Sequence, residues 1–268
     1  MKIGILTYHQ SVNNGAVMQA YSLSKRLRQE YPDAMVEIID YRMKKIAASY
    51  SYSLRTHLGE SSAIVKLKKM AKLILDPFYL RRLQKRTAIF EDCLPMLPLS
   101  SKTVISDDCN ELIEWINEEY DLLVVGSDAI WNYIARGLPN AYLPDGRIKC
   151  KKMSYAASCY GMDFQLRSEE ERQYVGECLN EFSFLGVRDG ATEQFVRWSG
   201  CHTASTHTCD PTAFLNVQDL PIDEKALRQK LSARGFDFNK PAIGVMGTKP
   251  LLRMIRTFYK KKYQLVSL

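Results

Sequence analysis

Apolar residues fall in short runs, separated by stretches in which they recur every three or four positions. Ile3, Ile5 and Leu6 form the first run, which ends in the polar stretch from Tyr8 to Gly15. Beyond it Ala16, Ala20, Leu23 and Leu27 keep helical spacing, with Asn13 or Asn14 placed to cap the start. A second run, Val36-Glu37-Ile38-Ile39-Asp40, ends on an acidic residue. Strand, loop, helix and strand in this order make a βαβ unit, and such crossovers build parallel sheets.

The rhythm then breaks over residues 42–95. Residues 64–75 carry an apolar stripe beside a basic face, and Asp76-Pro77 stops the helix they predict. A second helix fits 78–91. Alternation resumes with a helix over 112–118 and strands over 121–126 and 152–157. Ser168-Glu169-Glu170-Glu171 opens a helix, since acidic side chains favour a first turn. A strand over 184–187 delivers Arg188-Asp189, a helix spans 191–198, and Cys209-Asp210-Pro211-Thr212 closes the series. The pattern predicts an α/β fold: a Rossmann-like, doubly wound parallel sheet over residues 1–215, with a helical insert at about 42–95. Residues 216–240 read as a linker with a helix over 223–233. From 241 onward, a strand over 242–247, a helix over 251–259 and a strand from 263 form one more β-α-β. It either extends the first sheet or opens a second Rossmann-like domain, here truncated. A parallel strand needs helices on both faces, which favours the second reading.

Charge changes the picture in one region. The formal net charge is +7, and between Arg42 and Arg86 twelve Lys/Arg face two Asp/Glu. Such a stretch suits nucleic acid, an anionic membrane surface or an acidic substrate. It lacks the interleaved aromatic residues of single-strand binders, so no nucleic-acid partner is expected. A solvated helical face and a peripheral membrane contact through 66–86 remain. Seven cysteines without a Cys-x-x-Cys pair suit neither a disulfide framework nor a zinc site, and point to reduced thiols in a cytoplasm. No apolar run is long enough to span a bilayer, and the N-terminus does not read as a secretory signal.

Ligands of open α/β sheets bind beyond the carboxyl ends of the strands. Four polar clusters are placed there. Tyr8 and His9 lead to Asn14-Gly15 at a helix start, where free amides favour an anion, although simple capping explains the same residues. The stretch is neither a dinucleotide-binding glycine motif nor a Walker A loop. Gly126-Ser127-Asp128 offers a tight turn, a hydroxyl and a carboxylate that can orient or deprotonate a sugar hydroxyl; an N-cap is the plainer alternative. Trp131-Asn132 suits a sugar face, or a core tryptophan. Ser158 and its neighbours form the third cluster. Arg188 can fork onto carboxylate or phosphate oxygens, or pair with Asp189 or Asp210. His9, His57, His202 and His207 show no metal spacing, and no metal site is expected.

Taken in order, these stretches resemble the polysaccharide pyruvyl transferase family. The matching segments are Lys2-Ile3-Gly4-Ile5-Leu6-Thr7-Tyr8-His9, Asn14-Gly15-Ala16-Val17-Met18-Gln19-Ala20-Tyr21-Ser22-Leu23 and Val36-Glu37-Ile38-Ile39-Asp40-Tyr41. They continue with Val124-Val125-Gly126-Ser127-Asp128-Ala129-Ile130-Trp131-Asn132, Ser154-Tyr155-Ala156-Ala157-Ser158, Val187-Arg188-Asp189 and Asp210-Pro211-Thr212. The resemblance implies the N-terminal half of a glycosyltransferase-B arrangement. It implies transfer of the enolpyruvyl unit of phosphoenolpyruvate to a sugar as a ketal, in surface polysaccharide biosynthesis. Phosphoenolpyruvate is then the donor substrate, with no further cofactor, and a glycan or lipid-linked sugar is the acceptor. On that reading Asp128 is the catalytic base, while Tyr8, His9, Asn14, Gly15, Ser127, Trp131, Asn132 and Arg188 bind substrate. The family's proposed catalytic histidine and further phosphate-binding residues lie in a second domain, so the chain alone is expected to be inactive, and the uncovered apolar surface of residues 241–268 is expected to make it self-associate. Two other functions fit the same residues: a glycosyltransferase using a nucleotide-sugar, and an inactive fragment that binds a partner or a membrane surface.

Overall fold

A computed structural model describes residues 1–49, 63–76, 78–216, 218, 220, 222–245 and 263–267. Its first apolar run forms β1 (Lys2–Leu6), which α1 (Asn14–Glu30) connects to β2 (Met35–Arg42). Among the described residues, α2 (Lys44–Ser49), α3 (Ala63–Leu75) and α4 (Tyr79–Glu91) come next, before β3 (Leu99–Ile105) and α5 (Asn110–Glu119). The remainder alternates as β4 (Leu122–Val125), β5 (Lys151–Ala157), α6 (Glu169–Asn180), β6 (Phe184–Val187), α7 (Gly190–Trp198) and β7 (Ser205–His207). These strands make a seven-stranded sheet in the order β3-β2-β1-β4-β5-β6-β7. Every neighbouring pair is parallel. The chain is therefore the expected Rossmann-like α/β protein.

Both faces of the sheet are buried, as a parallel sheet requires. Along β2 the alternation is strict: Val36 and Ile38 join one apolar cluster with Ile3, Ile5 and the α1 residues Ala20 and Leu23. Ile39 and Tyr41 face the other, larger cluster with Leu6, Leu112, Ile116, Leu123 and Val125. The long segment between β4 and β5 has little regular structure, yet it packs inward through Trp131, Tyr133, Tyr142 and Leu143. Asn13 is the α1 cap, its side chain accepting from the Gly15 amide at 2.9 Å. Ser168 caps α6 through a reciprocal capping box with Glu171.

Two edge strands lie outside the sequence expectations. Strand β3 reads Leu-Ser-Ser-Lys-Thr-Val-Ile, with its middle exposed, and β7 spans 3 residues. Neither carries the apolar run of a central strand.

The chain divides into two compact units at Leu215/Asn216. The second holds α8 (Glu224–Ala233) and a separate two-stranded parallel sheet of β8 (Ala242–Val245) and β9 (Gln264–Ser267), with Ile243 opposite Leu265. The helix expected over 251–259 lies outside the described residues. Among the described residues, no helix is long and apolar enough to cross a membrane, and no cluster of potential ligands fits a metal ion. All seven cysteines are free thiols.

Candidate active site

Strands β1 and β4 are neighbours, but the chain leaves them in opposite directions across the sheet, toward β2-β3 and toward β5-β6-β7. A crevice at the carboxyl ends of the strands is the usual ligand site at such a switch. Its two rims are the loop after β1 and the turn after β4, and they touch. Thr7 Oγ1 donates to the Ser127 carbonyl at 3.2 Å, and Tyr8 Oη to the Ala129 carbonyl at 3.4 Å.

The turn after β4 is shaped by close backbone approach. Gly126 has φ 137°, and a Cβ there would sit 2.1 Å from the Tyr155 carbonyl oxygen, so only glycine fits. Asp128 follows with φ 86°. Its Oδ1 accepts from the Ala129 amide at 2.7 Å, and its carbonyl accepts from the Ser158 amide at 2.9 Å. No helix follows this turn, so Asp128 is not a helix N-cap. Among the described residues its carboxylate makes no ion pair, and it is partly exposed. Ser127 beside it is fully buried, and its hydroxyl has no hydrogen-bond partner among the described residues.

On the β2 side of the crevice lies a cavity of about 430 Å³, lined by Tyr8, His9, Arg42, Phe90, Arg136 and Tyr142 among others. That size falls within the common range for small-molecule sites, about 300–1,000 Å³. Three of its lining residues, His9, Gln10 and Arg42, belong to a polar cluster centred on the buried Asp40. His9 Nε2 lies 2.9 Å from Asp40 Oδ1, and His9 Nδ1 faces the Thr7 carbonyl at 3.3 Å. Gln10 Nε2, Arg42 Nε and Nη2, and Thr103 Oγ1 also donate to the Asp40 carboxylate, at 2.7–3.0 Å. Burial alone pushes the Asp40 carboxyl up. The hydrogen bonds from His9, Arg42 and Thr103, with the attraction of His9, outweigh it and hold the group well below the usual carboxylate range. The wall is aromatic and cationic. The Arg136 guanidinium lies 4.2 Å from the Tyr8 ring centroid and 5.7 Å from that of Tyr142. The two tyrosines meet edge to face at 4.9 Å. Arg136 Nη1 donates to the Asn132 carbonyl, which fixes the fork and leaves it without an ion pair among the described residues.

Arg188 stands at the end of β6, two strands from β4. Its Nη1 is 3.5 Å from Asp210 Oδ2, and its side chain is 24% exposed. Of the two carboxylates named as alternatives, Asp210 is the partner. Asp189 caps α7 and accepts from Ser158 Oγ at 2.6 Å. Asp210 also accepts from Gln19 of α1 and from the Thr212 hydroxyl, so Arg188 holds a share of an already well-served carboxylate.

The structure thus sorts the expected residues. Tyr8 and His9 share the cavity, and the turn of Ser127 and Asp128 touches the loop that carries them. His9 is 1% exposed, and its Nε2 is held by Asp40. Asn14 and Gly15 are exposed in the first turn of α1, outside the cavity lining, and the Gly15 amide is already taken by Asn13. Asn132 ties its loop to the segment after β5, donating to the Tyr160 carbonyl at 3.0 Å. Trp131 is corrected to a core residue: it is 0% exposed, packs near Phe182 and Phe195, and donates its indole N–H to the Tyr142 carbonyl. No face of the ring is left for a sugar. Arg42, Asp40 and Arg136 were not singled out in the sequence as site residues. Asp40 and Arg42 end a strand beside His9 in space, and Arg136 lies in an irregular loop without a motif.

The family described as polysaccharide pyruvyl transferase matches the chain over residues 13–267. No curated protein and no solved structure matches it.

Proposed function

The chain belongs to the polysaccharide pyruvyl transferase family, and from that premise we propose that it moves the pyruvyl unit of phosphoenolpyruvate onto a pair of sugar hydroxyls as a ketal. The match over residues 13–267 carries this reading. In the reaction the enol CH2 takes a proton, which makes an oxocarbenium-like centre at the neighbouring carbon. Two sugar oxygens bond to that carbon, the bond to the phosphate oxygen breaks, and the two hydroxyl protons balance the new methyl hydrogen and the released hydrogen phosphate. Such a site needs cations for the donor, a base for the hydroxyls, and a surface for the sugar.

Each need has a candidate. Arg188 follows β6, is 24% exposed and is only loosely paired, which suits the carboxylate or phosphate of the donor. Asp128 is a carboxylate without an ion pair among the described residues, in a turn whose backbone is fixed, which suits the base. The aromatic and cationic cavity of Tyr8, Tyr142, Phe90 and Arg136 suits the acceptor sugar, a glycan or a lipid-linked one at the cytoplasmic face of a membrane. The donor is a substrate, and no separate cofactor enters the scheme.

The test is phosphate release from phosphoenolpyruvate in the presence of candidate glycans, with the new ketal methyl followed by NMR. Release coupled to ketal formation supports the proposal. Transfer of a sugar from a nucleotide-sugar, with phosphoenolpyruvate untouched, refutes it.

A further inference from the structure

Helix α3 presents an apolar stripe to solvent. Ile64, Leu67 and Ile74 are 69%, 69% and 76% exposed, and with Ala71 they recur three or four positions apart, which places them on one face. A helix that served only as a cover for the sheet would bury such a face. Lys66 and Lys68, both exposed, fall on opposite flanks of the stripe. The next helix and its cap repeat the pattern: the cap Phe78 and Ile89 are each 63% exposed, and Arg81 and Lys85 are exposed as well. Helix α4 is two-sided. Thr87, Phe90 and Glu91 line the cavity, whereas Arg81, Lys85 and Ile89, spaced four apart, lie on the other side.

We infer that α3 and the outer side of α4 form a docking surface for an anionic lipid bilayer, with the apolar stripe entering the headgroup boundary and the flanking cations meeting lipid phosphates. Charge decides the occupant. From residue 63 to 90 the sequence holds eight Lys/Arg and one acidic residue, Asp76, and Asp76 is itself paired with Arg82. Two copies of so cationic a face repel one another, which disfavours self-docking. An apolar face flanked by basic residues is the arrangement of a helix lying in a membrane interface. Because α4 also walls the cavity, docking sets the cavity close to the lipid surface. The inference stands independently of the reaction, since lipid binding requires no turnover.

The experiment is sedimentation of the full chain with vesicles of phosphatidylglycerol mixed into phosphatidylcholine, and with phosphatidylcholine alone. Binding is expected to the anionic vesicles only. It should fall steeply between about 0.01 and 1 M salt, as the screening length drops from about 30 to about 3 Å. Each exposed cation near an anionic surface contributes about a fivefold change in partitioning, so Lys66→Glu with Lys68→Glu should weaken binding by more than about tenfold. Ile64→Asp with Leu67→Asp should weaken it comparably while leaving thermal unfolding unchanged, because both side chains are exposed. No binding at low salt overturns the inference. So does equal binding by the Ile64→Asp, Leu67→Asp variant, preference for an RNA homopolymer over vesicles, or a stripe that instead drives dimerisation in light scattering.

Discussion

At the scale of single residues, the proposed base and the proposed donor contact differ in how firmly the fold holds them. Asp128 receives the Ala129 amide and is otherwise free of ion pairs among the described residues, so Asp128→Asn keeps the shape and removes the proton acceptor. A fall in kcat of about 10²–10⁴ is expected, the scale of general base catalysis, with little change in phosphoenolpyruvate affinity. Arg188→Lys replaces a fork by a point charge and should weaken phosphoenolpyruvate binding by about 1–3 kcal/mol in calorimetry. If neither variant departs from the parent, the two roles are wrong. Gly126→Ala should fail for a different reason, since its methyl group would meet the Tyr155 carbonyl; the expected result is a loss of soluble, folded protein. Much at this scale was legible in the sequence. Tyr8, His9 and Asp128 sit at strand ends that an apolar run announces. Trp131 was not, because a tryptophan beside polar residues reads the same in a core as on a sugar. Nor was Arg136, whose place against Tyr8 depends on how a long irregular loop packs.

At the scale of elements, the Asp40 cluster joins the ends of three strands. Asp40 and Arg42 belong to β2, His9 and Gln10 follow β1, and Thr103 lies in β3. Asp40→Ala would leave the buried His9 without its carboxylate and should cost about 3 kcal/mol, read by chemical denaturation, and it should disturb the cavity lining. The pH dependence follows from the lowered carboxyl. Asp40 titrates below its unfolded value, so its stabilisation is fully present above the ordinary carboxylate range and is lost as pH falls through that range toward the folded value. Acid unfolding of the parent should therefore be steeper than that of Asp40→Asn below about pH 4; parallel curves would contradict the cluster's electrostatic role. Central strands and their helices were readable from period-2 and period-3.6 patterns. Strand β3 was not, because an edge strand with an exposed Ser-Lys-Thr middle lacks an apolar run and gains its place only by pairing with β2.

At the scale of the whole molecule, the sheet, its switch point and the two-sided helix α4 describe one arrangement. A cavity opens at the carboxyl edge, and a basic, apolar helical surface adjoins its wall. The order of strands was legible only in part: the βαβ units imply a parallel sheet, but the switch between β1 and β4 is set by tertiary packing. Recognition of phosphoenolpyruvate at the carboxyl edge of the sheet underlies the proposed transfer, and calorimetric titration reads it. Parallel titrations of the chain with phosphoenolpyruvate and with nucleotide-sugars should show binding of phosphoenolpyruvate alone, weakened in Arg188→Lys. Binding of a nucleotide-sugar with no binding of phosphoenolpyruvate would rule out the proposed pyruvyl transfer.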